Sequence, residues 1–340
     1  MATEKKYLFL LLLGVLLLVS CSTEHASRNS VTVYVSEDQV FSEPILKDFE
    51  RATGIHVNAV YDTEESKGTG VMNRLLAEKN NPQADVYWAN EPIRAEVLKH
   101  KGILTPYESR NAQGIPALFK EKAHYWTGFS ARIRLFIVNN KTKVKPTSIL
   151  DYANPEFKGK GVIANPLFGT TTSHIAALFT LWGDPKAKHF MQALKANRIA
   201  VSTSNGESAD LVAGGQYDFS LVDSDDAMSR LKQHAPVSFV YPDQQAGGIG
   251  AFVVPNTVML IKGAPHPKAA KRLIDYLLSK QSEHKLAFAD CAQIPLHRGV
   301  AIPKDLKPIG QIKVMQVDYG KVAQKLIAIQ PWLKQWLSGS

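Results

Sequence analysis

Residues 31–61 read VTVYVSEDQVFSEPILKDFERATGIHVNAVY, and this stretch decides the fold class. Val31-Thr32-Val33-Tyr34-Val35 is β-branched and aromatic, the composition of a buried strand. The polar group Ser36-Glu37-Asp38 follows, then an amphipathic segment in which Ile45, Leu46 and Phe49 recur at helical spacing. Gly54 stops that helix, and Ile55 to Tyr61 alternates as a second strand. A helix over Val71 to Lys79, a strand over Ala84 to Trp88 and a helix over Ile93 to His100, closed by Gly102, continue the rhythm. The order βαβαβα predicts a mainly parallel sheet with helices on both faces. Ligands of such sheets sit beyond the carboxyl ends of the strands. Three polar groups fall there: Ser36 to Asp38, Thr63 to Glu65, and Asn90-Glu91.

The middle of the chain repeats the pattern. Strands are expected over Arg134 to Val138, Gly161 to Ala164 and Phe219 to Val222. The turn Phe168-Gly169-Thr170-Thr171-Thr172 precedes a helix over Ser173 to Trp182, and a helix near Ser208 to Ala213 follows Asn205. The acidic group Asp223-Ser224-Asp225-Asp226 comes next. Gly250 to Val254 and Val258 to Ile261 read as two strand segments, before helices from Pro267 to Ser279, onward to Ala289, and over Val322 to Leu337.

Upstream of the first strand, Lys5 and Lys6 precede the apolar run Tyr7 to Leu18. That run is shorter than the ~20 residues a bilayer-spanning helix needs. A charged start, a short apolar stretch and small residues at its end make a secretory signal over residues 1–20. Leu18-Val19-Ser20-Cys21 resembles a bacterial lipoprotein signal, which implies acylation of Cys21 and a flexible tether over residues 21–30. With Cys21 lipidated, Cys291 has no partner, so no internal disulfide is expected, and its apolar setting reads as a buried thiol. The chain's net charge of +9 falls by one when the leader, with Lys5, Lys6 and Glu4, is removed. The lysines are scattered, and secretion excludes nucleic acid as a partner; an anionic ligand or an anionic bilayer remains.

The chain resembles the bacterial extracellular solute-binding proteins of ABC importers, of the ferric-ion-binding, transferrin-like type. The resemblance runs from about Val31 to about Leu333 and is carried by the phrases Val31 to Tyr34, Phe49 to Val57, Ala84 to Trp88, Ser130 to Arg134, Leu150 to Pro155 and Lys262 to Pro267. It implies an α/β, two-lobed periplasmic-binding-protein fold of type II, each lobe a mixed, mainly parallel sheet. Two crossover strands, near Arg132 to Val138 and Ala251 to Ile261, would form the hinge. Residues 31–131 plus 258–300 would form lobe one, and residues 132–257 plus 301–340 lobe two. It also implies a monomer that delivers a small ligand to the permease subunits from the periplasm or outer face of the cytoplasmic membrane. Iron(III) in this family is held by two adjacent tyrosines, a histidine and a glutamate. Asp225 and Asp226 stand where the tyrosines would be, the histidine position falls at or beside Asp38, and the glutamate position at Asn90 or Glu91. The anion elements are retained at Gly169, Thr170, Thr171, Thr172 and Asn205.

Read by their own chemistry, these residues divide into two ends. A helix start presents free N–H groups and a positive dipole end, so the Gly169 to Thr172 turn reads as an anion site or as a helix cap. Arg132 and Arg134 share one face of a strand, where one arginine would reach an anion or both would pair with carboxylates. Asp223, Asp225 and Asp226 repel one another unless a cation sits among them. That cation is a hard metal such as iron(III), which prefers oxygen ligands, or an organic ammonium group; otherwise they form a solvated acidic turn. Trp88 is placed either for stacking on a ligand or in the core. His174, His189 and His266 lack metal-ligand spacing. No nucleophile elbow, zinc-protease motif or phosphate loop is present, so an enzyme is not expected, and no resident cofactor either. Iron(III) or another hard cation with a bound anion is the first ligand expected, and a small zwitterion such as an aminoalkylphosphonate, or a phosphorylated solute, the second.

Overall fold

The computed structural model describes residues 29–62 and 69–339. The leader, Cys21, most of the tether and Thr63 to Glu65 lie outside the described residues.

Ten strands form one mixed sheet in the order β2-β1-β3-β10-β5-β8-β6-β7, with β4 on β10 and β9 on β5. β1 (Ser30–Val35) lies parallel to β2 (His56–Tyr61) and β3 (Val86–Ala89). In the other half, β6 (Gly161–Ala164) lies parallel to β7 (Ala200–Ser202) and β8 (Phe219–Asp223). The halves are joined by two antiparallel strands, β5 (Thr127–Asn139) and β10 (Val253–Ile261). β5 pairs with β10 as far as Ile133 and with β8 from Arg134 onward, so one strand belongs to both halves. β4 (Leu104–Thr105) and β9 (Val237–Val240) complete the edges.

Three helices flank the first half: α1 (Gln39–Thr53), α2 (Thr69–Ala77) and α3 (Pro92–His100). Gly54 ends α1 at φ 67°, a left-handed conformation that costs a glycine little. The second half carries α4 (Gly169–Trp182), α5 (Asp184–Ala196), α6 (Asn205–Ala213) and α7 (Ser224–Lys232). α8 (Pro267–Leu277) and α9 (Lys280–Phe288) return to the first half, α8 packing on β10 and β1 and α9 on β5 and α1. The last helix, α10 (Tyr319–Ser338), packs on α4 and also on α3, so it lies against both halves. Its Tyr319 hydroxyl donates to the Val253 carbonyl at 2.7 Å, and Trp332 meets Phe179 with ring centroids 5.4 Å apart.

Three local expectations change. Gly250 to Val254 and Val258 to Ile261 belong largely to one strand, because Pro255 sits at a register shift in β10 rather than at a strand end. α4 begins at Gly169, so the threonines form its first turn instead of preceding it. α5 was not anticipated, although Ala187, Phe190, Met191 and Leu194 bury one face at helical spacing.

Candidate functional site

Helices that follow parallel strands begin at the strands' carboxyl ends, so their N-termini gather at the cleft between the halves. The cleft encloses about 850 Å³. Glu37 and Asp38 line it at the head of α1, Gly70 and Asn73 in α2, and Asn90, Glu91 and Arg94 around the head of α3. From across the cleft come Phe168, Gly169 and Thr170 at the head of α4, Ser204, Asn205 and Gly206 at the head of α6, and Asp223, Asp225 and Asp226 where β8 passes into α7. Arg132 of the shared strand β5 lies between the two sets. Six helix starts thus direct the positive ends of their dipoles at one space, which suits carboxylates in the wall and anions in the cavity.

The acidic end is compact. Asp223, Asp225 and Asp226 each place a carboxylate oxygen within 4.8 Å of the others. Burial lifts the Asp225 carboxyl to about 6, against the pull of Arg132 and with the push of Asp223. Burial, then Asp225 and Asp223, raises Asp226 well above the usual carboxylate range. These are groups that a bound cation would relieve.

Behind them stands a buried polar network. Arg134 donates through Nη1 to Asp223 Oδ1 at 3.2 Å and to Asn205 Oδ1 at 2.9 Å, and through Nη2 to Thr171 Oγ1 at 3.0 Å. Thr170 donates to Asp223 Oδ2 at 2.7 Å and accepts from Asn205 Nδ2 at 2.9 Å. Arg134 is therefore the structural arginine of the pair, holding the cleft wall from behind. Arg132 is the one that reaches the cleft, and it also donates to the Asn90 carbonyl. Burial opposes its charge, but Asp223, Asp225, Glu37 and Asp226 together raise its pKa.

A hydrogen bond from α4 also reaches the opposite wall of the cleft. Ser173 of α4 donates to Glu91 Oε2 at 3.2 Å, while the other Glu91 oxygen accepts from Arg94. Arg94 sits one helical turn after Glu91, a spacing at which opposite charges on one helix face meet.

The structure leaves three expected residues out of the cleft. Thr171 and Thr172 are buried at 5% and 3% exposure, and their hydroxyls donate inward, to Asn205 Oδ1 and to the Pro166 carbonyl respectively. Of the residues expected at the anion end, Arg132, Gly169, Thr170 and Asn205 line the cleft, together with the helix-start amides. Those of Gly169, Thr170 and Thr171 meet no acceptor among the described residues. Trp88 is fully buried; its Nε1 donates to Asn256 Oδ1 at 3.2 Å and its ring packs on Phe129, so it is a core residue. Strand β3 is buried on both faces, and alternation therefore does not point Trp88 at the cleft.

Tyrosines are missing from the cleft lining among the described residues. The Tyr87 hydroxyl lies 2.9 Å from Ser36 Oγ inside the core, where burial first of all raises its pKa far above the ordinary value. Tyr241 Oη accepts from the Lys307 amide at 3.1 Å, outside the cleft. His174 stacks on Phe252 and His266 pairs with Asp85, both away from the cleft. Cys291 is buried and donates to the Leu286 carbonyl at 3.4 Å.

The model of the bacterial extracellular solute-binding proteins matches residues 34–283, and the chain belongs to that family. It is 26% identical over 318 residues to a putative 2-aminoethylphosphonate-binding periplasmic protein of Salmonella typhimurium, covering 91% of this chain and 88% of that one. It is likewise 26% identical over 301 residues to iron uptake protein A1 of Synechocystis, covering 84% and 81%. The structure of a Trichodesmium protein in complex with iron and citrate superposes with a TM-score of 0.80 at 24% identity, covering 90% of this chain and 99% of that one. The fold is the two-lobed periplasmic-binding-protein fold of type II, and the protein's class is an extracellular or periplasmic solute-binding protein.

Proposed function

We propose that this chain captures a hard cation, iron(III) foremost, together with a small anion, and hands the pair to the membrane permease of an ABC importer. The observation that carries this reading is the trio Asp223, Asp225 and Asp226, whose oxygens converge within 4.8 Å in a cleft that also holds Glu37 and Asp38. Hard cations prefer such oxygen ligands, and the cation offsets the repulsion that keeps the carboxylates partly protonated. The anion would lie at the first turn of α4 and at Arg132, where helix-start amides and a guanidinium meet it. Closure of lobe one (31–131 plus 258–300) on lobe two (132–257 plus 301–340) around the ligand supplies the signal for delivery. The chain works by binding rather than catalysis, as a monomer held to the membrane through acylated Cys21 after loss of residues 1–20.

A second reading, a zwitterion such as an aminoalkylphosphonate, is favoured by one observation: no phenol oxygen lines the cleft among the described residues. Its ammonium group would meet the aspartates and its phosphonate the α4 end. Elemental analysis and native mass spectrometry of protein purified from its own cells separate the two. Stoichiometric iron supports the first reading; a metal-free protein carrying an organic adduct replaces it with the second.

A further inference from the structure

Helices α5 and α10 concentrate lysine and tryptophan on the outside of the second half. The two helices lie side by side, with Asp184 against Lys325 at 2.8 Å, Lys188 Nζ 5.7 Å from the Trp332 ring centroid and Lys195 Nζ 5.0 Å from that of Trp336. Six lysines, Lys186, Lys188, Lys195, Lys321, Lys325 and Lys334, stand on these helices against the single acid Asp184. Among the described residues only Lys325 of the six has a carboxylate within salt-bridge distance. Elsewhere Lys47 pairs with Glu50 and Lys232 with Asp290, while Lys271 and Lys307 lie over the phenol rings of Tyr107 and Tyr241. Here lysines lie over indole rings, and a third such pair, Lys186 over Trp182, sits at the end of α4. Exposed aliphatics stand on α10 and on the neighbouring α4: Ile327 is 63% exposed and Leu181 41%.

Unpaired lysines, their stems lying on tryptophan rings, together with isolated exposed aliphatics, are what a surface lying on an anionic bilayer presents. The ammonium groups meet phosphates, while the rings and methyl groups reach the headgroup boundary. No helix among the described residues is long and apolar enough to cross a membrane, so the contact is peripheral. We propose that the α5–α10 face rests on the anionic lipid surface to which the chain is tethered, giving the anchored protein a preferred orientation. The proposal is independent of which ligand fills the cleft.

The test uses the full-length protein, reconstituted in vesicles of phosphatidylcholine alone or with about 30% phosphatidylglycerol to supply the anionic surface. Its intact mass reports whether lipid is attached. A lysine-acylating reagent and peptide mass spectrometry then measure the reactivity of each lysine. On the anionic vesicles Lys186, Lys195 and Lys334 are expected to react about threefold more slowly than on neutral ones, with Lys47 and Lys101 unchanged. Salt at about 0.5 M, where the Debye length shrinks to a few ångströms, abolishes the difference. In a Lys186→Glu, Lys195→Glu, Lys334→Glu variant the two remaining face lysines, Lys188 and Lys321, lose their protection. Equal reactivity on both vesicles, or protection confined to other lysines, overturns the proposal. Protection that persists in the triple variant overturns it as well, because another surface then makes the contact.

Discussion

Arg134 and Asp223 form an ion pair of 3.2 Å immediately behind the cleft wall, with side chains only 1% and 4% exposed. The pair is what turns a strand end into a binding surface. It ties β5, which both halves share, to β8, and through Thr170 and Asn205 it fixes the heads of α4 and α6. Removing one partner of such a pair strands the other charge in the interior. Arg134→Met is therefore expected to cost about 3–5 kcal/mol in urea unfolding and to weaken ligand binding as the helix heads loosen. A stability loss below about 1 kcal/mol, the range of a surface pair, would mean that the pair is not structurally important.

The acidic trio gives a signed pH dependence. The folded-state pKa of Asp225 is raised to about 6, so the folded protein binds more protons than the unfolded chain between the usual carboxylate value and 6. Stability of the empty protein consequently falls as pH rises through that window and is lowest above it. Asp225→Asn should stabilise the empty protein at pH 7, by about 1–2 kcal/mol once partial exposure is discounted, and by nothing below pH ~4. Cation binding runs the other way and weakens as pH drops through about 6, at milder acidity than ordinary carboxylates require. Thermal unfolding and titration at pH 4 and pH 7 read both signs.

Thr170, which lines the cleft, and Thr172, which is buried behind it, are separable by substitution. Thr172→Val keeps the shape but deprives the buried Pro166 carbonyl of its donor, at an expected cost of about 1–2 kcal/mol with ligand affinity nearly unchanged. Thr170→Val touches the Asp223 network and the cleft together, so stability and affinity should both fall. Equal loss of affinity in the two variants would return Thr172 to the ligand site.

Much of the fold was legible because its periods are clean: Val31 to Val35 and Ile45, Leu46, Phe49 announce strand and helix without ambiguity. The long crossovers were seen in part, since Pro255 and Asn256 interrupt a strand pattern that a bulge absorbs. The cleft position was legible as well, since polar residues just past strand ends have one place to go. Which way each polar group turns was not. Thr170 and Thr171 are neighbours on one helical turn and both accept from Arg134, yet only Thr170 also lines the cleft. That phase depends on where α4 begins, and a glycine at φ 60° moves the start by four residues from the expected Ser173. Of the two placements open to Trp88 the core one holds, because a strand buried on both faces has no outward side.

The most direct measurement is isothermal titration of the stripped protein with iron(III) citrate and, separately, with 2-aminoethylphosphonate. Wild type and an Asp225→Asn, Asp226→Asn double variant are compared, with and without a strong chelator. Iron(III) is expected to bind and to be removed by the chelator, to bind at least about a hundredfold more weakly to the double variant through loss of two charged ligands, and to leave the protein without intense colour. Undiminished iron(III) binding in the double variant would contradict the claim that the aspartates of α7 hold the cargo. Binding of 2-aminoethylphosphonate alone, indifferent to chelator, would contradict the claim that the cargo is a metal.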